Sequence, residues 1–557
     1  MTLIKGASLA TEEAKYGFPD RGFDYARAFQ NRVAEWVHEG EEQVAVLRAP
    51  TGAGKTATFH ELIDSNGITL LVYPTNALLN QQANRFEEDG VQTKVLTGDT
   101  LEGHHRQRTE NLLRAVNRFA ADHDVVLTNP DILQAVIQGQ YAGKQAMEFF
   151  DKFDAIVYDE FHFYGDLAAS GLLLQTRIIV DRNPAAQVLL ASATPNEEFV
   201  EFVKTIFEIP VRGISSEYDS NGDQFRYDVE LHRQEADRII EKKDAVAEQL
   251  REAIEGVDRG ETRAVVVFNG VKDSNDFHSY LESDHPDLFE RIEKDNGFDT
   301  NDPDFDLEES EFSILNTTSK GEVGLDYDIR TLIMETPKGP TAGSDFLQRF
   351  GRAGRQAKAT VDVYGLGQLP WGDDLSFPEF SKLIVDALGN SQMQIKSLDD
   401  LVGLRAAYAL HVRKRDYNLE LQEDFASVNQ YGRWKGFMDA IRNVLENEVG
   451  GLGDPLQEND PETKILEFTD HCFGAFRGLR GRSLTGEIRY PRGDRTALTS
   501  YDLLSTLRYY DIETVEDESV IVLGEVQDEY PTTGDRSTTR LRIPTSGLWF
   551  LHSGHRA

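Results

Sequence analysis

The chain has 557 residues and a mass of 62.7 kDa, too long for a single hydrophobic core, so three or four domains are expected. Hydrophobic residues make up 39% of it, as in soluble globular proteins, and no apolar run approaches the ~20 residues that a membrane helix needs. The N-terminus has no apolar signal core, and the single cysteine, Cys472, excludes an internal disulfide or a cysteine-rich zinc site. We therefore expect a cytoplasmic protein without a membrane partner.

The net charge is −38, and the sequence pI is about 4.7. Nucleic-acid-binding proteins usually present a basic surface, so the charge alone argues against a nucleic-acid partner. The acidic residues are spread along the whole chain, however, and that pattern fits a surface kept hydrated in molar salt, where the Debye length is only ~3 Å. We expect a protein from the cytoplasm of a halophile.

The most informative stretch is APTGAGKT at 49–56, which follows a short apolar run. A buried strand, a glycine-containing turn and a helix start form the context that a P loop needs, and such a loop binds triphosphates through its backbone N–H groups. Lys55 is expected on the β- and γ-phosphates of the triphosphate, and the Thr56 hydroxyl on Mg²⁺. A glycine-rich turn without a ligand is the structural alternative. The residues expected to bind the nucleotide are Thr51, Gly52, Ala53, Gly54, Lys55 and Thr56.

Three further apolar runs end in small hydroxyl or amide residues where helices are expected to begin. Each such residue is explained by helix capping when it is taken alone. Together, at the carboxyl edge of one parallel sheet, they form a row of phosphate-sized anion sites that suits a nucleic-acid backbone. The residues are Thr75 and Asn76, Thr97, and Thr128 and Asn129.

Another apolar run ends in two neighbouring carboxylates, Asp159 and Glu160. A carboxylate at a strand end beside a P loop suits the second protein contact of Mg²⁺, so Asp159 is the expected metal ligand. Glu160 is expected to orient and deprotonate an attacking water. His162 is expected to connect this site to a second lobe of the protein. The hydroxyls of Ser192 and Thr194 can hydrogen-bond the cluster of Asp159, Glu160 and His162.

These motifs, in this order, resemble those of superfamily 2 helicases. The matching segments are 49–56, 74–76, 97–99, 159–162, 192–194, 263–270, 317–326 and 348–355, so the resemblance covers roughly residues 25–367. It implies an α/β fold with two tandem RecA-like parallel-sheet lobes and a mainly helical C-terminal region. The implied divisions are residues 1–212 for an N-terminal segment and the first lobe, 213–368 for the second lobe, and 369–557 for an accessory domain.

In this family the ATPase site is completed by the second lobe. The resemblance implies that Arg352 and Arg355 reach the γ-phosphate as arginine fingers, which contribute ~10³–10⁵ in rate in phosphoryl transfer generally. Asp326 would contact the ribose, Gln348 would couple the lobes, and the Gln30 amide could contact the adenine edge. The phosphodiester contacts would come from the five strand-end residues of the first lobe together with Asn269, Thr317, Thr318 and Lys320.

Within the superfamily, the stretches at 73–78 and 159–162 and the fused C-terminal region are similar to the signature helicase of type I CRISPR-Cas interference. That family unwinds target DNA 3′ to 5′ after recruitment by the Cascade surveillance complex, and an HD nuclease domain usually precedes the helicase. Here 48 residues precede Ala49, and the sole His-Asp dipeptide is His123-Asp124. We therefore expect single-stranded DNA and Cascade as partners, no nuclease activity in this chain, and a separate HD nuclease subunit as in type I-D.

Several alternatives stay open at this point. The phosphate-binding motifs do not distinguish sugars, so an RNA helicase or a repair or restriction translocase is a second reading. A third is an assembly clamp that binds ATP without unwinding. Residues 284–312 are expected to be a solvated acidic loop. The arginine- and aromatic-rich residues 473–495 suit single-strand binding, pairing with the chain's own acidic surface, or docking of a partner.

Overall fold

The computed structural model describes most of the chain. The described residues are 1–98, 125–138, 148–161, 164, 166–193, 201, 203–205, 209–258, 261, 263–296, 312–318, 328–339, 342–367, 369, 372, 374–389, 401–403, 405–406, 408–409, 485–492, 495–502, 510–516 and 520–526. Within these ranges, no helix combines the length and the apolar content required to cross a bilayer.

Four short strands open the chain, and a seven-stranded parallel sheet follows. The opening strands are β1 Thr2–Lys5, β2 Ala7–Leu9, β3 Thr11–Glu13 and β4 Tyr25–Arg27. The strands of the seven-stranded sheet are β5 Val44–Arg48, β6 Thr69–Val72, β7 Thr93–Leu96, β8 Val125–Thr128, β9 Ala155–Tyr158, β10 Gln187–Ser192 and β11 Val211–Ser215. Their spatial order is β11-β5-β10-β9-β6-β8-β7, with each neighbouring pair parallel. The inner strands β5, β6, β8, β9 and β10 are buried on both faces, which explains why they are largely apolar runs in the sequence.

Helices cover this first sheet. They are α1 Ala28–Glu39, α2 Lys55–Ser65, α3 Asn76–Glu88, α4 Pro130–Ile137 and α5 Asp166–Arg182. In α1, Phe29 and Trp36 are both 1% exposed, so the helical spacing of apolar residues in this segment does correspond to a buried face. Pro130 occupies the first position of α4, where its missing N–H costs no hydrogen bond.

The second lobe contains an eight-stranded sheet. Its later strands are β13 Val229–Arg233, β14 Ala264–Val267, β15 Ile292–Asp295, β16 Ile314–Thr317, β17 Thr331–Glu335, β18 Ala359–Tyr364 and β19 Asp374–Ser376. β12 Asp223–Arg226 precedes them and pairs with β2. The sheet order is β15-β16-β14-β17-β18-β13-β1-β19. The helices of this lobe are α6 Lys243–Ala253, α7 Val271–Asp284, α8 Pro286–Phe289, α9 Ala342–Phe350 and α10 Phe377–Leu388. The predicted α/β architecture with two parallel-sheet lobes is confirmed.

The N-terminal strand β1 lies in the second sheet, although the helix that follows the N-terminal segment lies on the first. β1 is antiparallel to β13 and parallel to β19, so it connects the edge strand β19 to the rest of the sheet. The first sheet extends to Ser215, and β19 and α10 belong with the second sheet although they follow residue 368. Each lobe is therefore assembled from segments on both sides of the divisions expected from the sequence.

The described parts of the C-terminal region contain both helix and sheet. Helical positions within 401–409 pack on the first lobe, where Val402, Ala406 and Ala409 join its apolar core. A four-stranded sheet follows, in the order β21-β20-β23-β22. Its strands are β20 Thr485–Arg492, β21 Arg495–Asp502, β22 Tyr510–Glu516 and β23 Val520–Val526, and the sequence did not predict it.

The expectation of a solvated acidic loop at 284–312 is wrong for residues 286–295. This stretch forms α8 and the edge strand β15, in which Ile292 is 6% exposed and pairs with β16. The high acidic content hid a short strand, because only one of its residues is a large apolar one. Residues 297–311 lie outside the described residues.

Candidate active site

The loop between β5 and α2 has the geometry of a phosphate-binding turn. Gly52 and Gly54 have φ values of 82° and 76°, in the left-handed region where glycine is favoured. Lys55 is the first residue of α2, so the positive end of the helix faces the loop. The strand, the loop and the helix predicted around residues 49–56 are all present.

Arg27 and Gln30, which precede the P loop in the sequence, contact it. A Cβ at Gly54 would lie 3.1 Å from Gln30 Nε2 and 3.2 Å from Arg27 Nη1, so a side chain there would be crowded by both, besides the strain of its φ. Gln30 Nε2 donates to the Gly54 carbonyl at 3.0 Å, and Gln30 Oε1 accepts the Arg27 N–H at 2.9 Å. The Gln30 amide is therefore tied to the phosphate loop by contacts that the sequence did not predict.

The two carboxylates lie at the end of β9, opposite Lys55. Lys55 Nζ is 3.3 Å from Glu160 Oε2 and 3.5 Å from the Ala49 carbonyl oxygen. Glu160 has a φ of 51°, a strained value for a residue with a side chain, and its N–H donates to Asp159 Oδ1 at 2.8 Å. Strain of this kind costs about 1–3 kcal/mol and concentrates at functional sites.

The electrostatics of this pair suit a divalent cation. Burial and the neighbouring Glu160 carboxylate raise the pKa of Asp159, while Lys55 opposes the shift. A cation bound by the Asp159 carboxylate and the Thr56 hydroxyl, both of which line the same cleft, would offset the repulsion between the carboxylates with the oxygen ligands that Mg²⁺ prefers. The donor set therefore fits Mg²⁺.

The second lobe closes the other side of the cleft with α9 and the residues after it. We call residues 350–355, which are the last residue of α9 and the five that follow it, the finger loop. Arg355 Nε donates to the Gly351 carbonyl at 3.0 Å and lies 3.8 Å from where a Cβ at Gly52 would be. The cleft has a volume of about 320 Å³. Among the residues that line it are Thr51, Gly52, Gly54, Lys55, Thr56, Asp159 and Glu160 from the first lobe and Gln348, Arg352 and Arg355 from the second.

Further residues line the cleft that the sequence did not single out. α3 contributes Gln81, Gln82 and Arg85, and Phe225 comes from the segment between the lobes. The α3 residues lie one to three turns after the predicted cap Thr75, so helical spacing could have found them. Within the described chain, Gln82 Oε1 and Gln348 Oε1 are buried without a hydrogen-bond partner. Because buried polar atoms are normally bonded, these two favour a polar ligand in the cleft.

At the carboxyl edge of the first sheet, the predicted strand-end residues come together. Thr75 caps α3 by accepting the Leu78 N–H at 3.3 Å, and Asn129 caps α4 by accepting the Ile132 N–H at 3.0 Å. Asn129 Nδ2 also donates to Asn76 Oδ1 at 2.9 Å, which joins two of the strand ends directly. Thr97 is 5% exposed, and the fully buried Thr128 donates its hydroxyl to the Leu96 carbonyl at 2.7 Å.

The second lobe repeats this arrangement. Thr317, at the end of β16, donates its hydroxyl to the carbonyl of Asp295 at the end of the edge strand, at 2.6 Å, and Thr318 beside it is 5% exposed. Asn269 Nδ2 donates to the Thr336 carbonyl at 2.8 Å, and its Oδ1 accepts from Arg349 Nη1 at 2.8 Å. Arg349 belongs to α9, so a strand-end residue is bonded to the helix that leads into the finger loop.

Ser192 lies 1% exposed at the end of β10, and its carbonyl accepts the Ala49 N–H at 3.1 Å, at the start of the P loop. Four predicted site residues lie outside the described residues: His162, Thr194, Lys320 and Asp326. The same holds for the His123-Asp124 dipeptide and for most of the interleaved arginine and aromatic residues in 473–495 whose roles were left open.

Residues 27–202 match the family described as DEAD/DEAH box helicase. The chain is 24% identical over 344 residues to an uncharacterized ATP-dependent helicase of Methanocaldococcus jannaschii, an alignment that covers 57% of this chain and 46% of the relative. It is 26% identical over 213 residues to the mRNA transport homolog 4 of Caenorhabditis elegans, covering 37% of this chain and 18% of the relative. The chain thus spans less than half the length of either curated relative.

Among solved structures, the fold is similar to that of the DUF1998 helicase MrfA bound to DNA, with a TM-score of 0.60, 15% identity, and coverage of 94% of this chain and 71% of MrfA. It is also similar to Mss116 bound to single-stranded RNA and AMP-PNP, with a TM-score of 0.50, 17% identity, and coverage of 78% and 92%. The two lobes therefore share the RecA-like α/β fold of these solved structures.

Proposed function

We propose that this protein is an ATP-dependent helicase or translocase that moves 3′ to 5′ on single-stranded DNA and hydrolyses ATP between its two lobes. The observation that carries the proposal is the cleft in which Lys55, Asp159 and Glu160 of the first lobe face Arg352 and Arg355 of the second. Superfamily 2 motors need both lobes because each holds part of the ATPase site.

The proposed division of labour follows from these side chains. Lys55 would leave Glu160 for the β- and γ-phosphates. Thr56 and Asp159 would hold Mg²⁺, which when bound would supply positive charge that offsets the phosphate charge. Glu160 accepts a proton from the attacking water. Arg352 and Arg355 stabilise the charge that develops on the γ-phosphoryl group, so hydrolysis depends on closure of the lobes.

The nucleic acid is proposed to lie along the carboxyl edges of the two sheets. Asn76 and Asn129 are joined there in the first lobe, and Asn269 is bonded to Arg349 in the second. The similarity over 94% of this chain to a helicase described as bound to DNA supports DNA over RNA. An RNA helicase, or a repair or restriction translocase, is the alternative, because an RNA-bound helicase shares the two lobes.

The finer part of the proposal is a role in type I CRISPR interference, with recruitment by Cascade and cleavage by a separate HD nuclease subunit. It is supported by the sequence of the 73–78 and 159–162 segments and of the fused C-terminal region. The proposed location is the cytoplasm of a halophile, with no nuclease activity in this chain.

The first experiment measures ATP hydrolysis in molar KCl with single-stranded DNA, single-stranded RNA or no nucleic acid. We expect stimulation by DNA, loss of turnover in Lys55→Ala, and ATP bound but unhydrolysed in Glu160→Gln. Full turnover in either variant would show that the site is misassigned, and stimulation by RNA alone would move the protein to RNA remodelling.

Strand separation needs a second assay. Duplexes with a 3′ overhang or a 5′ overhang are compared at saturating ATP, with Glu160→Gln as the inactive control. We expect unwinding of the 3′-tailed duplex only. ATP turnover without unwinding of either duplex would favour a translocase or clamp that does not separate strands.

A further inference from the structure

The segment between the lobes touches both sides of the cleft. It consists of β12 and the next residue, residues 223–227, and we call it the linker strand. It leaves the first lobe after β11 and enters the second at β13, while β12 pairs with β2 of the N-terminal segment. Phe225, in its middle, is 5% exposed and lines the cleft.

Arg226 of the linker strand holds the finger loop through main-chain bonds. Its side chain is 1% exposed, and its Nη2 donates to the carbonyls of Phe350 at 2.7 Å and Ala353 at 2.8 Å. These carbonyls lie on either side of Arg352 in the chain. The guanidinium also lies over two rings, 4.8 Å from the centroid of Phe350 and 4.6 Å from that of Phe377. Such stacking holds an arginine more firmly than hydrogen bonds alone.

A second bond from the linker strand continues along the same loop. The Tyr227 N–H donates to the Gly354 carbonyl at 2.7 Å. Gly354 has a φ of 72°, and a Cβ there would lie 2.7 Å from Val229 Cγ2, so the loop passes close to the start of β13. The carbonyls at 350, 353 and 354 are thus held by two consecutive residues of the linker strand.

The other end of the linker strand reaches the P-loop side. Asp223 forms an ion pair with Arg27 at 2.8 Å, and Arg27 Nη1 is 3.5 Å from the Gly52 carbonyl oxygen. The Arg27 side chain is 15% exposed, and the Asp223 side chain is 56% exposed. The linker strand therefore contacts the finger loop directly and the P loop through Arg27, with only two residues between Asp223 and Arg226.

The charge around Arg226 favours an anion nearby. The contacts described for its guanidinium are carbonyl oxygens and aromatic rings, and Nε is buried without a hydrogen-bond partner. Burial, together with the positive charge of Arg355, lowers the pKa of Arg226 to about 9. The arginines at 226 and 355 therefore add positive potential on the finger-loop side, which binding of a phosphate would relieve.

We propose that Arg226 is a positioning residue for ATP hydrolysis: it holds the finger loop so that Arg352 and Arg355 face the P loop, and the linker strand keeps that position tied to Arg27. This inference rests on the proposed ATPase function. A 1 Å misplacement of a catalytic group can cost about 10²-fold in rate, so loss of these bonds acts on turnover more than on ATP binding.

The test compares Arg226→Met, Arg226→Lys and Asp223→Asn with the wild type, and Arg405→Met serves as the matched control. Arg405 is 0% exposed and bonds Ser170 Oγ at 2.9 Å on the first lobe, away from the cleft. We measure kcat and KM for ATP, the affinities for ADP and for ADP with aluminium fluoride, and the unfolding midpoint, all in the full chain in molar KCl.

We expect Arg226→Met to lower kcat by about 10²-fold while KM changes by less than about threefold. Binding of ADP with aluminium fluoride should weaken, and binding of ADP alone should not. Arg226→Lys, which keeps the positive charge and a single donor nitrogen, should recover part of kcat. Asp223→Asn should lower kcat less, without a change in the unfolding midpoint. Arg405→Met should lower the midpoint and keep kcat.

A folded Arg226→Met protein with wild-type kcat would overturn the inference. If that variant does not fold, wild-type kcat in both Arg226→Lys and Asp223→Asn would overturn it. The proposed function fails separately: a folded wild type that binds no ATP and hydrolyses none, with Glu160→Gln indistinguishable from it, would reject the ATPase itself.

Discussion

Gln30 supports the P loop and is also the residue proposed to contact the adenine edge. Its amide has two N–H groups and two acceptor positions, and the contacts to Gly54 and Arg27 use one of each. These two bonds leave one N–H and one acceptor position of the amide for a base edge. The residue therefore supports the shape of the P loop whether or not it also recognises adenine.

The substitution Gln30→Ala separates these roles. We expect KM to rise for both ATP and GTP, because the P loop loses its bond to the amide, and to rise more for ATP, because the adenine edge loses a specific partner. Steady-state hydrolysis with each nucleotide measures this, with Glu160→Gln as the blank. Equal increases for the two nucleotides would assign Gln30 to loop support alone.

At the scale of elements, the first five residues stabilise the lobe farther along the chain. β1 lies between β13 and β19, and Ile4 is 1% exposed in an apolar cluster that includes residues of both lobes. β19 pairs with β1, and α10 packs against β1, although both come late in the sequence of this lobe. Removing the packing of Ile4 therefore weakens the attachment of β19 and α10.

We expect Ile4→Ala to destabilise the second lobe by about 2–5 kcal/mol, the usual range for truncating a buried isoleucine. The matched control is Lys5→Ala, whose side chain is 56% exposed and is 3.4 Å from Asp374. An exposed ion pair contributes little, so its loss should change stability by less than about 1 kcal/mol. Calorimetry measures both. Equal unfolding midpoints for Ile4→Ala and wild type would contradict the placement of β1 in the sheet.

For the whole molecule, the net charge of −38 sets a conflict between folding and nucleic-acid binding. Salt screens the repulsion among the carboxylates and so favours the compact state, but it also weakens phosphate contacts. The described side chains proposed to bind the phosphodiester backbone at the sheet edges carry neutral amides and hydroxyls, whose bonds depend less on salt than those of lysine and arginine.

We expect the unfolding midpoint and the DNA-stimulated ATPase rate both to increase as KCl rises to about 1 M, because screening is nearly complete there. A parallel series in sucrose controls for general solute effects. If stability and activity were highest in low-salt buffer, the proposal that this protein comes from a halophile would be wrong.

The sequence by itself determined the parts of this protein whose signals are local. The strands at 44–48, 155–158 and 187–192, the P loop and the carboxylate pair at 159–160 all follow from short apolar runs and from residue types a few positions apart. Parallel-sheet geometry then brings their ends to one edge, as it does for Asn76 and Asn129. These features could be predicted because each depends on its own segment and on one general rule of sheet geometry.

Only the tertiary structure decided which distant segments meet. Nothing in the residues near Thr2 indicates that β1 enters the second sheet, because its partner β13 lies more than 200 residues away in the sequence. Likewise, nothing near Ile292 indicates that an acidic stretch supplies the edge strand β15, because its position depends on pairing with β16. The contact of Arg226 with the carbonyls of Phe350 and Ala353 is of the same kind. Main-chain carbonyls carry no residue-specific signal, so a bond to them is decided by how the chain folds.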